Sequence, residues 1–275
     1  MMIFYQFRMK FTTAFVAFFL FASAMPSQAQ SLSYTGRFEA VLSSKKVRVC
    51  IWPDYYGITY RNPKTQKLEG IDAELAIELG KDLGVSVEFV DSSFANLVAD
   101  LTGNRCDVAM FSVGVTAQRA EKLRFTKPTL VSDIYGVTTR TNRQIKTWAD
   151  IDKLGVVVAV MKGTLHEPIM RERLKVATLK VVDTPMAREQ EVTSGRADVF
   201  MTDYPYSRRM LETTDWARLV SPTTVYHETP YAYAVVPGDE KWALRMEQFV
   251  RDIKEDGRLM KTAIRYKLDS IVVKY

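Results

Sequence analysis

Arg119 follows Thr116 by three residues, and Asp203 follows the apolar run Val199-Phe200-Met201 by two. A threonine at a helix start can accept the N–H of the third helical residue. That places Arg119 in a first turn, where its guanidinium and free backbone N–H groups converge. Such a spot suits a carboxylate, because the guanidinium fork meets both oxygens and a helix N-terminus favours negative charge. The plainer alternative is an arginine on an exposed turn. Asp203 can accept hydrogen bonds from an ammonium group, or it can cap a helix running from Tyr204. Gly163-Thr164 has the form of an anion-binding turn: glycine lets the backbone approach and threonine supplies a hydroxyl. Ser112 offers another hydroxyl. Trp52, Tyr55, Tyr56 and Phe94 can stack around the apolar part of a ligand, although singly such residues belong more often to a core. His166 and His227, the two histidines of the chain, read as surface or local hydrogen-bonding residues. Nothing in their spacing points to a metal, a cofactor or a nucleophilic cysteine.

These groups need elements to hold them, and the elements are periodic. Arg105-Cys106-Asp107-Val108-Ala109-Met110 recurs 91 residues later as Arg196-Ala197-Asp198-Val199-Phe200-Met201. The repetition predicts two α/β units of similar build. Val47, Val49 and Ile51 alternate as a strand. Ile71, Leu75, Leu79 and Leu83 mark a helix closed by Gly84. A strand at 85–89, a helix at 94–101 and a strand at 106–111 complete a βαβαβ pattern, which implies a mostly parallel sheet. The pattern restarts with strand 156–160, a helix to Leu174, strand 179–182, helix 186–194, strand 198–201 and helix 204–213. Strand 231–236 and helices at 239–256 and 258–267 follow. In parallel α/β units ligands sit beyond the carboxyl ends of the strands, where Trp52, Phe94, Ser112, Thr116, Arg119, Thr164 and Asp203 all fall. One unit then presents a cationic end and the other an anionic end, a cleft suited to a small zwitterion.

Residues 1–29 read as a secretory signal peptide: Arg8 and Lys10 precede an apolar run, and Ser27-Gln28-Ala29 fits the cleavage pattern, with Gln30 as the mature start. Met9 is an alternative initiator. No later stretch is apolar enough to cross a bilayer. Export would remove two basic and no acidic residues, taking the formal charge from +6 to +4. That charge is spread along the chain without interleaved aromatics, which argues against nucleic acid. Cys50 and Cys106 enter an oxidising compartment; a disulfide and two buried free thiols remain equal alternatives.

Val-Arg-Val-Cys-Ile (47–51), Leu-Glu-Gly-Ile-Asp-Ala-Glu-Leu-Ala (68–76), Thr-Ala-Gln-Arg-Ala-Glu-Lys-Leu-Arg-Phe-Thr-Lys-Pro (116–128) and Gly-Arg-Ala-Asp-Val-Phe-Met-Thr-Asp (195–203) resemble the family 3 solute-binding proteins, periplasmic receptors of amino-acid ABC importers. The resemblance implies a two-lobed periplasmic-binding-protein (type II) fold with a hinge of two crossover strands. Lobe 1 would span 31–138 plus 229–275, and lobe 2 139–228. It implies that Arg119, helped by Ser112 and Thr164, holds a ligand α-carboxylate, that Asp203 holds the α-ammonium, and that Tyr55 and Phe94 form aromatic walls. Trp52 departs from the pattern of binders of basic amino acids, which often have an acid there. Gly114 stands where a Ser or Thr commonly contacts the carboxylate. The expected partners are a small amino-acid-like ligand and an inner-membrane permease, with the protein a monomer and no cofactor. Two rivals carry different consequences. One is a cyclohexadienyl dehydratase-like enzyme, which needs a general acid such as Asp203 or Glu167. The other is a periplasmic accessory or sensory module that binds a protein.

Overall fold

A computed structural model, describing residues 1–4, 6 and 36–274, shows Lys46–Ile51 as a strand with Val47, Val49 and Ile51 wholly buried. The expected signal segment lies outside the described residues except at 1–4 and 6, and Gln30 lies outside them too. Ser86–Asp91 and Val108–Gly114 flank the first strand in parallel. Thr229–Val235 adds on antiparallel to Val108–Gly114, and itself carries Arg124–Phe125 and Leu130–Ser132. A second sheet repeats the plan. Val157–Met161 lies between Thr178–Val182 and Val199–Thr202, all parallel. Tyr135–Thr139 and then Ala217–Val220 extend it antiparallel. Each sheet therefore has the expected parallel centre, and the strands arriving from the other sheet make it mixed.

The repeated phrase has a shared physical task. Asp107 accepts the backbone N–H of Arg48 at 2.7 Å, and Asp198 accepts that of Val157 at 2.9 Å. Each aspartate also donates its own N–H to the carbonyl of that same strand residue, at 2.8 Å in both cases. The carboxylate thus satisfies a strand-end donor that would otherwise be orphaned, and it sets the register between the two central strands of its sheet. Asp107 further pairs with Arg37 and Arg48.

The chain passes from the first sheet to the second between Ser132 and Tyr135, and returns between Val220 and Thr229. A division at 138/139 would cut Tyr135–Thr139, a strand whose pairing lies wholly in the second sheet. Its Val137 and Thr138 are fully buried there. Cys50, at the middle of the first sheet, and Cys106, just ahead of Val108–Gly114, form a disulfide. That resolves the two alternatives left by the sequence.

Ile71–Leu83 ends at Gly84, whose φ of 66° supplies the left-handed stop. Glu240–Glu255 packs Trp242, Met246, Phe249, Val250 and Ile253 inward. This is a helical stripe, with the charged residues largely on the other face. Arg37–Ser44, a helix not foreseen, lays Phe38 on Trp242. Asp54–Tyr55, Thr59–Arg61 and Leu68–Glu69 make a small sheet that shapes the segment after the first strand. No described helix is long and apolar enough to cross a membrane.

Candidate functional site

In each sheet the central strand lies between the next two in sequence, so the chain reverses direction of winding at its carboxyl end. That is where open α/β sheets form a crevice. Here the two crevices face each other and enclose a cavity of about 20 Å³, room for about one water. From the first sheet's side come Trp52, Tyr55, Phe94, Ser112 and Tyr231. From the second come Thr164, His166, Arg188, Thr202, Asp203 and Tyr206.

Asp203 is the cavity's acid, 4% exposed. It does both things its position suggested. One carboxylate oxygen caps Tyr204–Thr213 by accepting the N–H of Tyr206 at 3.1 Å. The other accepts the hydroxyls of Tyr55 and, at 3.0 Å, Tyr231. Burial raises its pKa, and the tyrosine and backbone donors, with the nearby Arg188 charge, hold the rise back.

Arg119 lies beside this cavity and outside its lining. Thr116 caps Ala117–Ala120 and accepts the Arg119 N–H at 3.3 Å, as the spacing predicts. The guanidinium then reaches across to the second sheet. It donates to the Gly114 carbonyl at 2.9 Å and to the Gly163 carbonyl at 3.2 Å, and it lies 5.4 Å from the centre of the Phe94 ring. Burial lowers its pKa to about 10, with no carboxylate among the causes. Thr116 and Arg119 line an adjoining groove together with Gly163, Thr164 and Glu167.

Gly163 permits the close approach. Its φ is 76°, and a Cβ there would lie 2.8 Å from Ala95 Cα across the gap. Any side chain would wedge the two sheets apart at this turn. Thr164, 7% exposed, turns its hydroxyl inward to the Met161 carbonyl at 2.7 Å. Trp52, Tyr55 and Phe94 form one aromatic cluster with ring separations of 5.1 to 5.7 Å. Tyr56 packs edge-on against Tyr60, away from the cavity lining.

Ser112 is held in an uncommon conformation, with φ at 49° inside Val108–Gly114. The pairing with Thr229–Val235 is irregular here, shifting between Ala232 and Ala234. Asp72 holds it, accepting the Ser112 N–H at 2.6 Å, its hydroxyl at 3.0 Å and the Tyr233 hydroxyl at 3.0 Å. Burial raises the Asp72 pKa to about 6 against these three donors. Non-glycine residues at positive φ cost free energy and collect at functional sites.

The structure thus brings Asp203, Ser112, Thr164, Trp52, Tyr55 and Phe94 around one cavity and sets Arg119 and Thr116 at its flank. His166 departs from its surface reading. It is 5% exposed, lines the cavity, and is kept neutral by burial and by Arg188 and Arg119, with a pKa lowered to about 3. His227 stays partly exposed beside Arg173. Tyr231, Arg188 and Asp72 escaped the sequence reading. Two of them left a signal: Asp72 shares a helical face with Leu75, Ala76 and Leu79, and Arg188 shares one with Val192, all buried. An ionisable residue on an apolar stripe needs a reason to be there. Glu167 caps the Gly163 N–H at 3.1 Å and pairs with Arg171, outside the cavity lining. Among the described residues no group of three or more His, Cys, Asp or Glu is placed to hold a metal ion.

Comparison with known proteins supplies the context for this geometry. Residues 47–269 match the profile of the bacterial extracellular solute-binding proteins, family 3. Cyclohexadienyl dehydratase of Pseudomonas aeruginosa is 26% identical over 237 residues, covering 86% of this chain and 88% of that protein. The L-cystine-binding protein TcyJ of Escherichia coli is 24% identical, covering 70% of this chain and 72% of its own length. Among solved structures, the ancestral amino acid-binding protein AncCDT-1, described as a precursor of cyclohexadienyl dehydratase, superposes with a TM-score of 0.77 at 26% identity, covering 83% of this chain and 98% of that one. The fold also matches the substrate-binding protein AbpA of Streptococcus pneumoniae, solved with L-arginine, with a TM-score of 0.77 at 21% identity over 86% of this chain and all of that one.

Proposed function

The chain belongs to the bacterial extracellular solute-binding proteins of family 3, and from that premise we propose that it captures one amino-acid-like molecule between its two sheets and delivers it to an ABC permease. The observation that carries this reading is a pair of reciprocal contacts across the gap. Arg119, from the first sheet's side, grips the Gly163 carbonyl of the second. Asp203, from the second, is gripped by Tyr55 and Tyr231 of the first. Each group that suits a ligand's head is answered by a polar group from the opposite sheet.

A cavity of about 20 Å³ is far below the roughly 300 Å³ or more of a small-molecule site, so admission requires the sheets to part. Parting frees Asp203 to take an ammonium group and Arg119 to take a carboxylate. A ligand that bridges them binds the closed arrangement better and shifts the population toward it. In this reading the lobes divide at the two crossings, 133–134 and 221–228, a refinement of the boundaries expected from sequence. The Cys50–Cys106 bond and the basic-then-apolar N-terminus agree with export to an oxidising periplasm.

A thermal-shift screen against an amino-acid library tests the proposal, because a ligand that binds only the native state raises the melting temperature with its concentration. The reading expects a saturable rise for a narrow set of amino acids; no rise with any amino acid contradicts it.

A dehydratase reading also has an observation in its favour: the likeness to cyclohexadienyl dehydratase spans most of both chains, and Asp203 is a buried acid with a raised pKa in the cavity lining. Such an acid can donate a proton to a leaving hydroxyl. Incubation with prephenate decides between the two. Release of phenylpyruvate that Asp203→Asn abolishes would establish the enzyme, and no turnover leaves the receptor reading in place.

A further inference from the structure

Arg188 is 2% exposed and lines the cavity, yet no described carboxylate forms an ion pair with it. The acids near it are all engaged elsewhere. Glu189 accepts the Tyr206 hydroxyl, Glu191 pairs with Lys180 and Arg196, and Asp203 takes two tyrosine hydroxyls and its own helix cap. Asp72 lies on the first sheet's side, bound by Ser112 and Tyr233. Arg188 is held rigidly all the same. Its guanidinium lies 4.5 Å from the ring centres of both Phe200 and Tyr206, and one terminal nitrogen donates to the Met201 carbonyl at 2.9 Å. Its Nε is buried with no hydrogen-bond partner. Beside it, both ring nitrogens of His166 are also buried without a hydrogen-bond partner, although the Thr202 backbone adjoins the ring.

Asp203 is near enough to feel the Arg188 charge but makes no ion pair with it; a buried guanidinium with no directly paired anion is costly, and buried donors are nearly always satisfied. Here a preformed cation and a neutral imidazole border the cavity that holds Asp203. Aromatic faces fix the guanidinium plane, and the imidazole can supply one N–H. That is the donor set of a carboxylate site. It is carried by the second sheet's side, whereas Arg119 arises from the first and reaches over to the Gly163 carbonyl.

We propose that Arg188 and His166 form a second anion-binding subsite, which makes the ligand an amino acid whose side chain ends in a carboxylate. The inference rests on the receptor reading above, in which Asp203 takes the ammonium group and Arg119 the α-carboxylate. Arg188 then neutralises the side-chain carboxylate, and His166 donates a hydrogen bond to it. The amide analogue fits the same space but leaves the guanidinium without its counter-charge.

Isothermal titration with L-aspartate, L-asparagine, L-glutamate, L-glutamine and L-arginine tests this. The wild type is expected to bind one of the acids at least about 30-fold more tightly than its amide. Arg188→Gln is expected to reduce that preference to about 3-fold or less, and Arg188→Lys, which keeps the charge but loses the planar stacked fork, to leave a preference between those of the wild type and Arg188→Gln. Because the acid-to-amide ratio is first read on the wild type, it stands whether or not a variant folds. Tighter binding of an amide or of L-arginine by the wild type, or an acid preference unchanged in folded Arg188→Gln, overturns the subsite while leaving the receptor reading intact. Binding of none of the five overturns the subsite as well, and the wider library screen then judges the receptor reading separately.

Discussion

Burial holds Asp72 and His166 away from their charged forms, and the two act in opposite directions over one pH window. The folded Asp72 keeps its proton to about pH 6, whereas the unfolded chain releases it near 3.8. Stability therefore falls as pH rises through that interval, by roughly 3 kcal/mol. The folded His166 refuses a proton down to about pH 3, whereas the unfolded chain takes one near 6.5. Stability therefore rises with pH over an overlapping range, by up to roughly 5 kcal/mol. Single variants separate the two. Between pH 4 and 6, Asp72→Asn should make stability rise with pH more steeply than in the wild type, and His166→Gln should tilt the profile the other way. Urea unfolding midpoints across the window check this, and parallel profiles for all three proteins would contradict it. At this scale the site was partly legible. Arg119 and Asp203 stood out because each follows an element boundary where chemistry is exposed. Arg188 and His166 did not: Arg188 left only its place on the Val192 face of its helix, and what fails to pair with either residue after folding is not encoded by spacing.

At the scale of elements, the disulfide joins the first strand to the approach to Val108–Gly114. These are the two strands that deliver Trp52 and Ser112 to the cavity. The bond closes a loop across a separation of 56 residues, so replacing both cysteines by serine should lower unfolding stability by about 2–4 kcal/mol. Chemical denaturation of Cys50→Ser, Cys106→Ser measures this, and an unchanged midpoint would show that the bond contributes nothing. Periodicity revealed the longer elements: Ile71–Leu83 and Tyr204–Thr213 fall where the sequence puts them. It missed Arg124–Phe125, Leu130–Ser132 and Ala217–Val220, since runs of two to four residues carry no usable period. Their positions come from pairing with distant strands, which is long-range information. The twin Asp107 and Asp198 motifs show the opposite case: one local phrase, used twice, sets the same register in both sheets.

Across the whole molecule, capture of a ligand amounts to an exchange of contacts over the gap. Tyr55 and Tyr231 hold Asp203, and the Gly163 carbonyl holds Arg119. A ligand must replace these with bonds at least as good, and a zwitterionic head group does so because it sets an ammonium against Asp203 and a carboxylate against Arg119, where the present partners are neutral hydroxyls and a carbonyl. In the proposed function the molecule closes on ligand because the ligand's two ends find partners on different sheets. The most direct measurement is titration of the amino acid selected by thermal shift into the wild type, Arg119→Ala and Asp203→Asn. Asp203→Asn keeps the side chain's shape and its helix cap but removes the charge offered to the ammonium group. Each variant, still folded, is expected to bind at least about 30-fold more weakly, a loss of ~2 kcal/mol. Undiminished affinity in both variants would contradict it.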